Sequence, residues 1–164
     1  MPTTDFPSFA EALYARPGVP AACLDLQDRR GLDVVLLLYA CWLGVRSRGL
    51  TREQGATLIA STQSWRFEVV RPLRRLRRRL RVGHEGIPRD RSEPVRSLVK
   101  QAELAAERAL IAILAAAAVE DVRDGSVAGN LATCLSVASI VVDGEDRASL
   151  DVLEREAHGM AAES

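Results

Sequence analysis

Lysine is almost missing from this chain: Lys100 stands alone against 21 arginines. With alanine so abundant, this reads as a compositional bias, and the charge of each arginine means more than its identity. Aromatic residues are scarce, at 4% of 164 residues, and the 48% apolar content is carried mainly by Ala, Leu and Val. That mixture favours helices over sheets built from aromatic and β-branched strands. Histidine occurs only as His84 and His158, both in polar context. A nucleophilic Ser or Cys would therefore lack the base that usually activates it. The Glu-x-x-His pairs of di-iron bundles are absent, as are the Gly-rich phosphate cradles of dinucleotide and P-loop folds.

The acidic groups add no metal site. Asp143, Glu145 and Asp146 surround Gly144 without the alternating ligands and distant Glu of a calcium loop. Glu103 and Glu107, one helical turn apart, read as a solvated stripe. The expectation is no metal, no cofactor and no catalytic residue, hence a protein more non-enzymatic than enzymatic. Cys23, Cys41 and Cys134 are odd in number and sit in apolar helical context. They read as buried reduced thiols, which places the chain in the cytoplasm. Met1 to Leu13 includes Asp5 and Glu11 and has no basic signal-peptide start. The longest apolar run, Val34 to Leu43, has ten residues, against about 20 for a membrane span.

What is present is helical periodicity. The reading is an all-α, single-domain bundle over 1–164, of about seven helices, with a central buried apolar helix. Phe6, Phe9, Leu13 and Tyr14 share one face of a first helix; Pro20 opens a second, closed by Gly31; Asp33 caps a third over Val34–Val45. Thr51 caps a fourth to about Ala60. A fifth stretch over Ser64–Val82 is interrupted by Pro72, which must either kink it or start a new helix. Residues 83–91 read as a flexible loop. Ser92 caps a long helix to about Val122, Ser126 caps another over Val127–Val142, and the last runs from Arg147 to about His158 before a loose tail over 159–164.

Net charge is zero, yet Arg66 to Arg91 carries +7 and Gln101 to Ser164 carries −8. Seven arginines lie between Arg71 and Arg81, around a narrow seam of Leu73, Leu76 and Leu80. Two readings stand. The arginines form a solvated face neutralised by the acidic C-terminal part, or an anion-binding surface in which Arg71, Arg74, Arg75, Arg78 and Arg81 offer forked donors to carboxylate or phosphate. Single-strand binders interleave rings with charge; here only Trp65 and Phe67 are near, and both are expected to anchor the helix in the core. Asp28, Asp33, Trp42 and Trp65 form a candidate pocket set, with Arg66 or Arg71 as partners for a buried carboxylate.

Three stretches carry a family resemblance: ALYARPGVPAACLDLQDRRGLDVVLLLYACWLG over Ala12–Gly44, WRFEVVRPLRRLRRRL over Trp65–Leu80, and the Ala-rich helix that follows. The pattern resembles a domain-of-unknown-function family of short bacterial proteins, over about Phe6 to Leu114. The resemblance implies a helical cytoplasmic protein and places Arg16, Gln27, Asp28, Asp33, Trp42, Trp65, Arg71 and Arg75 in motif positions. Three functions follow as expectations. The first is an adaptor or regulator presenting the arginine helix to an acidic protein partner. The second is an RNA-, ribosome- or DNA-associated protein, and the third a ligand binder or enzyme with a helical pocket. Partner, ligand and oligomeric state are not set by the sequence.

Overall fold

A computed structural model describes residues 5–117 and 122–162. These residues are mostly helical: α1 (Phe6–Tyr14), α2 (Val19–Arg30), α3 (Val34–Val45), α4 (Arg52–Trp65), α5 (Arg71–Arg81), α6 (Arg89–Ala115), α7 (Val127–Val137) and α8 (Gly144–Ala162). A π-helical segment, Arg66–Val70, joins α4 to α5, so Arg52 to Arg81 is one continuous helix and the separate helices number seven. Two two-residue strands, β1 (Arg48–Gly49) and β2 (Val122–Arg123), pair antiparallel. The chain divides into two compact units, one of residues 1–59 with 114–164 and one of residues 60–113.

The first unit is built around α3. Asp33 caps it by accepting from the amides of Val35 and Leu36 at 2.9 and 3.2 Å, which satisfies donors that the first helical turn leaves open. From Val35 to Gly44 every residue except Trp42 is buried. This helix packs against α1, α7 and α8, and α2 lies along α8. Phe6, Phe9 and Leu13 are the buried face of α1, while Tyr14 is exposed. Each such apolar side chain contributes about 1.5–3 kcal/mol on leaving water. Phe6 meets Tyr39 edge-on with ring centroids 4.9 Å apart. Gly31 closes α2 with φ of 68°, a left-handed conformation that suits glycine.

Cys23, Cys41 and Cys134 are buried free thiols. Burial pushes the thiols of Cys23 and Cys134 up to about 12 and raises that of Cys41. Among the described residues no helix is long and apolar enough to cross a membrane.

Several boundaries differ from those read from the sequence. The helix begun by the reciprocal Thr51–Gln54 capping contacts, at 2.9 and 3.1 Å, continues past Ala60 and through Pro72. The chain neither kinks to a stop nor restarts. The π-helical segment lets the Arg71 amide reach back to the Arg66 carbonyl, widening the turn where the proline lacks a donor and crowds the preceding carbonyl. Helix α6 starts at Arg89 rather than Ser92, whose hydroxyl instead donates to the Arg89 carbonyl at 3.2 Å. It ends at Ala115 rather than near Val122, which belongs to β2; residues 118–121 lie outside the described residues.

Helix α7 stops at Val137, five residues short of the expected end, leaving Val141 and Val142 non-helical. Helix α8 starts earlier than Arg147 because Asp143 and Asp146 accept from each other's amides at 2.8 and 3.0 Å, a reciprocal cap.

The second unit comprises the end of α4, the π segment, α5 and α6 up to Ile113. Between α5 and α6 the chain turns through a bridge of His84 with Ile87, whose amide donates to the His84 carbonyl at 3.0 Å. No residue of α5 is buried; Leu73 and Leu80 are half-buried and Leu76 is exposed. The leucine seam therefore does not make a closed core.

Candidate functional site

The arginine helix divides into faces of different character. Arg74 and Arg77 are committed within the second unit. Arg74 donates through Nε to Glu103 at 3.1 Å and through Nη2 to Glu107 at 2.7 Å, and Arg77 closes on the other oxygen of Glu103. Glu103 is only 5% exposed. Burial works to raise its pKa, but Arg77 and then Arg74 outweigh it and hold the carboxyl below its ordinary 4.5. At neutral pH it is a carboxylate held by two guanidinium groups. Farther along α6, Arg96 grips Glu93 at 2.7 Å.

Arg75, Arg78, Arg79 and Arg81 are exposed. Arg71 is half-buried and lies over the Phe67 ring, its guanidinium carbon 4.0 Å from the centroid, a cation–π contact. With 100° per residue, Phe67, Arg71, Arg75 and Arg78 project from one side of the continuous helix. The expectation that Trp65 and Phe67 anchor the core is not met: they are 37% and 47% exposed. The Trp65 indole donates to the Ala106 carbonyl at 3.0 Å, which fixes one edge of a ring that stays partly open to solvent.

The acidic excess over Gln101–Ser164 divides between the two units. Glu103 and Glu107, within the second unit itself, pair with Arg74 and Arg77 of α5. Asp143, Glu145 and Asp146 instead hold Arg29 and Arg30 at the end of α2: Arg30 reaches Asp143 at 2.6 Å and Asp146 at 2.7 Å, and Arg29 reaches Glu145 at 2.6 Å and also closes on Asp146. Glu156 pairs with Arg16 at 3.0 Å. These contacts fasten α8 within the first unit. Sequence separation concealed them because Arg29 and Asp146 are 117 positions apart.

The α2–α8 clasp has a pH signature. The Asp146 amide, then Arg29, hold the Asp143 carboxyl down from 3.8 to about 2. A carboxyl with a lowered folded pKa contributes stability that is complete above its unfolded pKa and is lost as pH falls through the folded one. Acid titration of ellipticity from about pH 5 to about pH 2 should show a loss of stability in that window. Asp143→Asn should be less stable at neutral pH and flatter between about pH 4 and about pH 2. A variant with the wild-type acid profile would remove Asp143 from the clasp.

The pocket set Asp28, Asp33, Trp42 and Trp65 finds local employment instead. Asp33 spends its carboxylate on the α3 amides, not on Arg66 or Arg71. Asp28 is exposed on α2. Trp42 stacks beside Phe6 and Tyr39, 5.6 Å from each, with Arg46 5.1 Å over its ring. Trp65 belongs to the second unit. A cavity of about 30 Å³, lined by Leu131, Leu135, Leu150 and Glu154 among others, has room on the scale of a water molecule and not of an organic substrate. Among the described residues no group of three His, Cys, Asp or Glu could hold a metal ion.

No curated protein and no solved structure matches the chain. Residues 5–114 match a family model described as a protein of unknown function, DUF2390. The match takes in all of α1 to α5 and α6 to its penultimate residue, and so includes the whole arginine helix with its glutamate clamp. The chain belongs to that family, DUF2390.

Proposed function

We propose that the protein is a non-enzymatic adaptor or regulator whose second unit presents α5 to an acidic protein partner. The observation that carries this reading is the exposure of Arg75, Arg78, Arg79 and Arg81 beside a clamp that already engages Glu103 and Glu107. The second unit holds thirteen basic side chains against six acidic ones, and the first unit nine against sixteen. Charge is thus partitioned by unit, as +7 and −7. A surface of this kind steers an oppositely charged partner and sets the rate of encounter. The three buried thiols fit a reducing compartment, and the cytoplasm is the proposed location.

The test is affinity capture with the full chain at about 50 mM and about 500 mM salt, against the triple variant Arg75→Gln, Arg78→Gln, Arg79→Gln. Proteins retained by the wild type at low salt, released at high salt and lost by the triple variant would support the reading. Identical retention by both chains would overturn it.

Nucleic acid is the second reading, favoured by the exposure of Trp65 and Phe67 near the arginines, since rings beside cationic groups suit single strands. It predicts an RNA or DNA shift at about 50 mM salt that weakens steeply as salt rises. A flat response at low salt would exclude it.

A further inference from the structure

Of the twelve large apolar side chains exposed among the described residues, nine lie in the second unit. Five of the nine, Leu76, Val82, Ile87, Val95 and Leu98, gather at one end of it. Arg77 stands across from Glu103, so the chain from 78 through the turn and back to 102 forms the closed end of the α5–α6 pair. Every residue from 84 to 91 is exposed. Val82 and Ile87, at 82% and 51%, bracket the turn with bare aliphatic side chains.

The helices carry this apolar surface back from the turn. At 100° per residue, Leu76 and Leu80 share one side of α5, and Val95, Leu98 and Ala102 share one side of α6. The clamp of Arg74 and Arg77 on Glu103 and Glu107 fixes the facing sides and turns the two stripes outward together. No carboxylate lies in either stripe: α5 has none, and Glu93, Glu103 and Glu107 project from the other side of α6, where arginines hold them. Guanidinium groups border both. Arg79 stands one turn from Leu76, Arg91 stands one turn before Val95, and Arg81 and Arg89 lie at the turn itself; all four are exposed. Against the five arginines from Arg78 to Arg91 stand Glu85 and Asp90, and Asp90 is 3.9 Å from Arg91.

Two properties select the occupant. A second copy would bring its own +7 unit and arginine rim against this one. The barest aliphatic groups also project from a turn, and a protein partner would need a cavity shaped to receive them. A fluid apolar layer needs none, and its anionic headgroups match the rim. We infer that the turn end of the second unit docks on an anionic membrane surface. Val82, Ile87 and Leu98 enter the boundary between headgroups and acyl chains, and Arg79, Arg81, Arg89 and Arg91 meet the lipid phosphates. This goes beyond the acidic-partner reading and does not depend on it.

Flotation of the full chain with lipid vesicles at about 0.1 M salt tests it. The probes are vesicles of phosphatidylcholine alone and vesicles containing about one-third phosphatidylserine. The chain should float with the anionic vesicles and stay behind with the neutral ones. Val82→Gln with Ile87→Gln and Leu98→Gln leaves the charge unchanged and should weaken partitioning at least about tenfold. Replacing Arg79, Arg81, Arg89 and Arg91 together by Gln should do the same. Circular dichroism verifies that each variant stays folded, as expected for exposed positions.

Absence of flotation with the anionic vesicles would overturn the inference. So would undiminished partitioning of the Val82→Gln, Ile87→Gln, Leu98→Gln chain, since charge alone would then hold it. A dimer in solution that this variant dissolves would overturn it as well, because a second copy would then cover the end. Protein capture through Arg75, Arg78 and Arg79 is read without lipid, so either reading can fail while the other stands.

Discussion

Asn130→Ala should lower stability by about 4 kcal/mol, which for a chain of this size moves the melting midpoint down by about 10 °C. Asn130 is 2% exposed on α7, and its amide joins that helix to α3 and to the segment after it, 80 to 90 positions away. Its Oδ1 accepts from the Leu50 amide at 2.7 Å, while Nδ2 donates to the carbonyls of Arg48 at 2.9 Å and Ala40 at 3.2 Å. The side chain thus takes the place of a backbone partner for the segment between α3 and α4. Truncation strands the Leu50 donor and the Arg48 acceptor in a site that water does not readily enter, at about 1–3 kcal/mol for each group, and leaves a void as well. Asn130→Asp keeps the acceptor for Leu50 but turns a carboxylate toward two carbonyls, so it should also destabilise. Chemical denaturation of the three proteins measures this directly; a loss below about 1 kcal/mol for the alanine variant would show that the bonds are replaceable.

Gly44→Ala should be at least as severe, about 3 kcal/mol or more, although alanine is ordinarily the better helix former by about 1 kcal/mol. A Cβ at Gly44 would stand 2.3 Å from the Val127 nitrogen and 2.5 Å from its Cα. Both are backbone atoms at the start of α7, which no rotamer change can move aside. Shifting them would disturb the Ser126 cap, whose Oγ accepts from the Gly129 amide at 3.1 Å. It would also disturb Gly125, where a Cβ would fall 2.1 Å from the Gly49 nitrogen. Gly144→Ala is the internal comparison. It opens α8 with nothing within 4 Å of the added methyl, so it should be neutral or slightly stabilising. Melting curves that place the Gly44 and Gly144 variants together would refute the backbone-contact account.

Both effects lie on contacts between α3 and α7, and neither position stands out in the sequence. Asn130 sits in an Ala- and Ser-rich helix where an amide could as well face solvent. Gly44 sits near the end of an apolar run, where nothing in the neighbouring residues shows that another backbone packs against it. By contrast, α3 itself was legible. Ten consecutive apolar residues after a capping Asp leave little alternative to a buried helix in a chain without strand periodicity, and the structure has α3 over Val34–Val45. Gly31 and Ser126 announced helix boundaries for the same reason: their chemistry is local, a left-handed residue and a hydroxyl within reach of free amides. Pro72 announced a disturbance without its form, because kink, restart and π-helical widening all relieve the same missing donor.

The arginine helix shows the division most directly. The sequence determined that seven arginines share one helix around a leucine seam and that an acidic excess exists elsewhere in the chain. Helical periodicity and charge are properties of neighbours, so they can be read from neighbours. Only the tertiary structure decided that Glu103 and Glu107 take Arg74 and Arg77 while the acids of α8 take Arg16, Arg29 and Arg30. The same holds for Trp65 and Phe67, which lie exposed instead of in the core. Ion pairing depends on which side chains come within about 4 Å, and burial on which faces are covered. Both are set by the packing of segments distant in sequence, from 26 positions for Arg77 and Glu103 to 140 for Arg16 and Glu156.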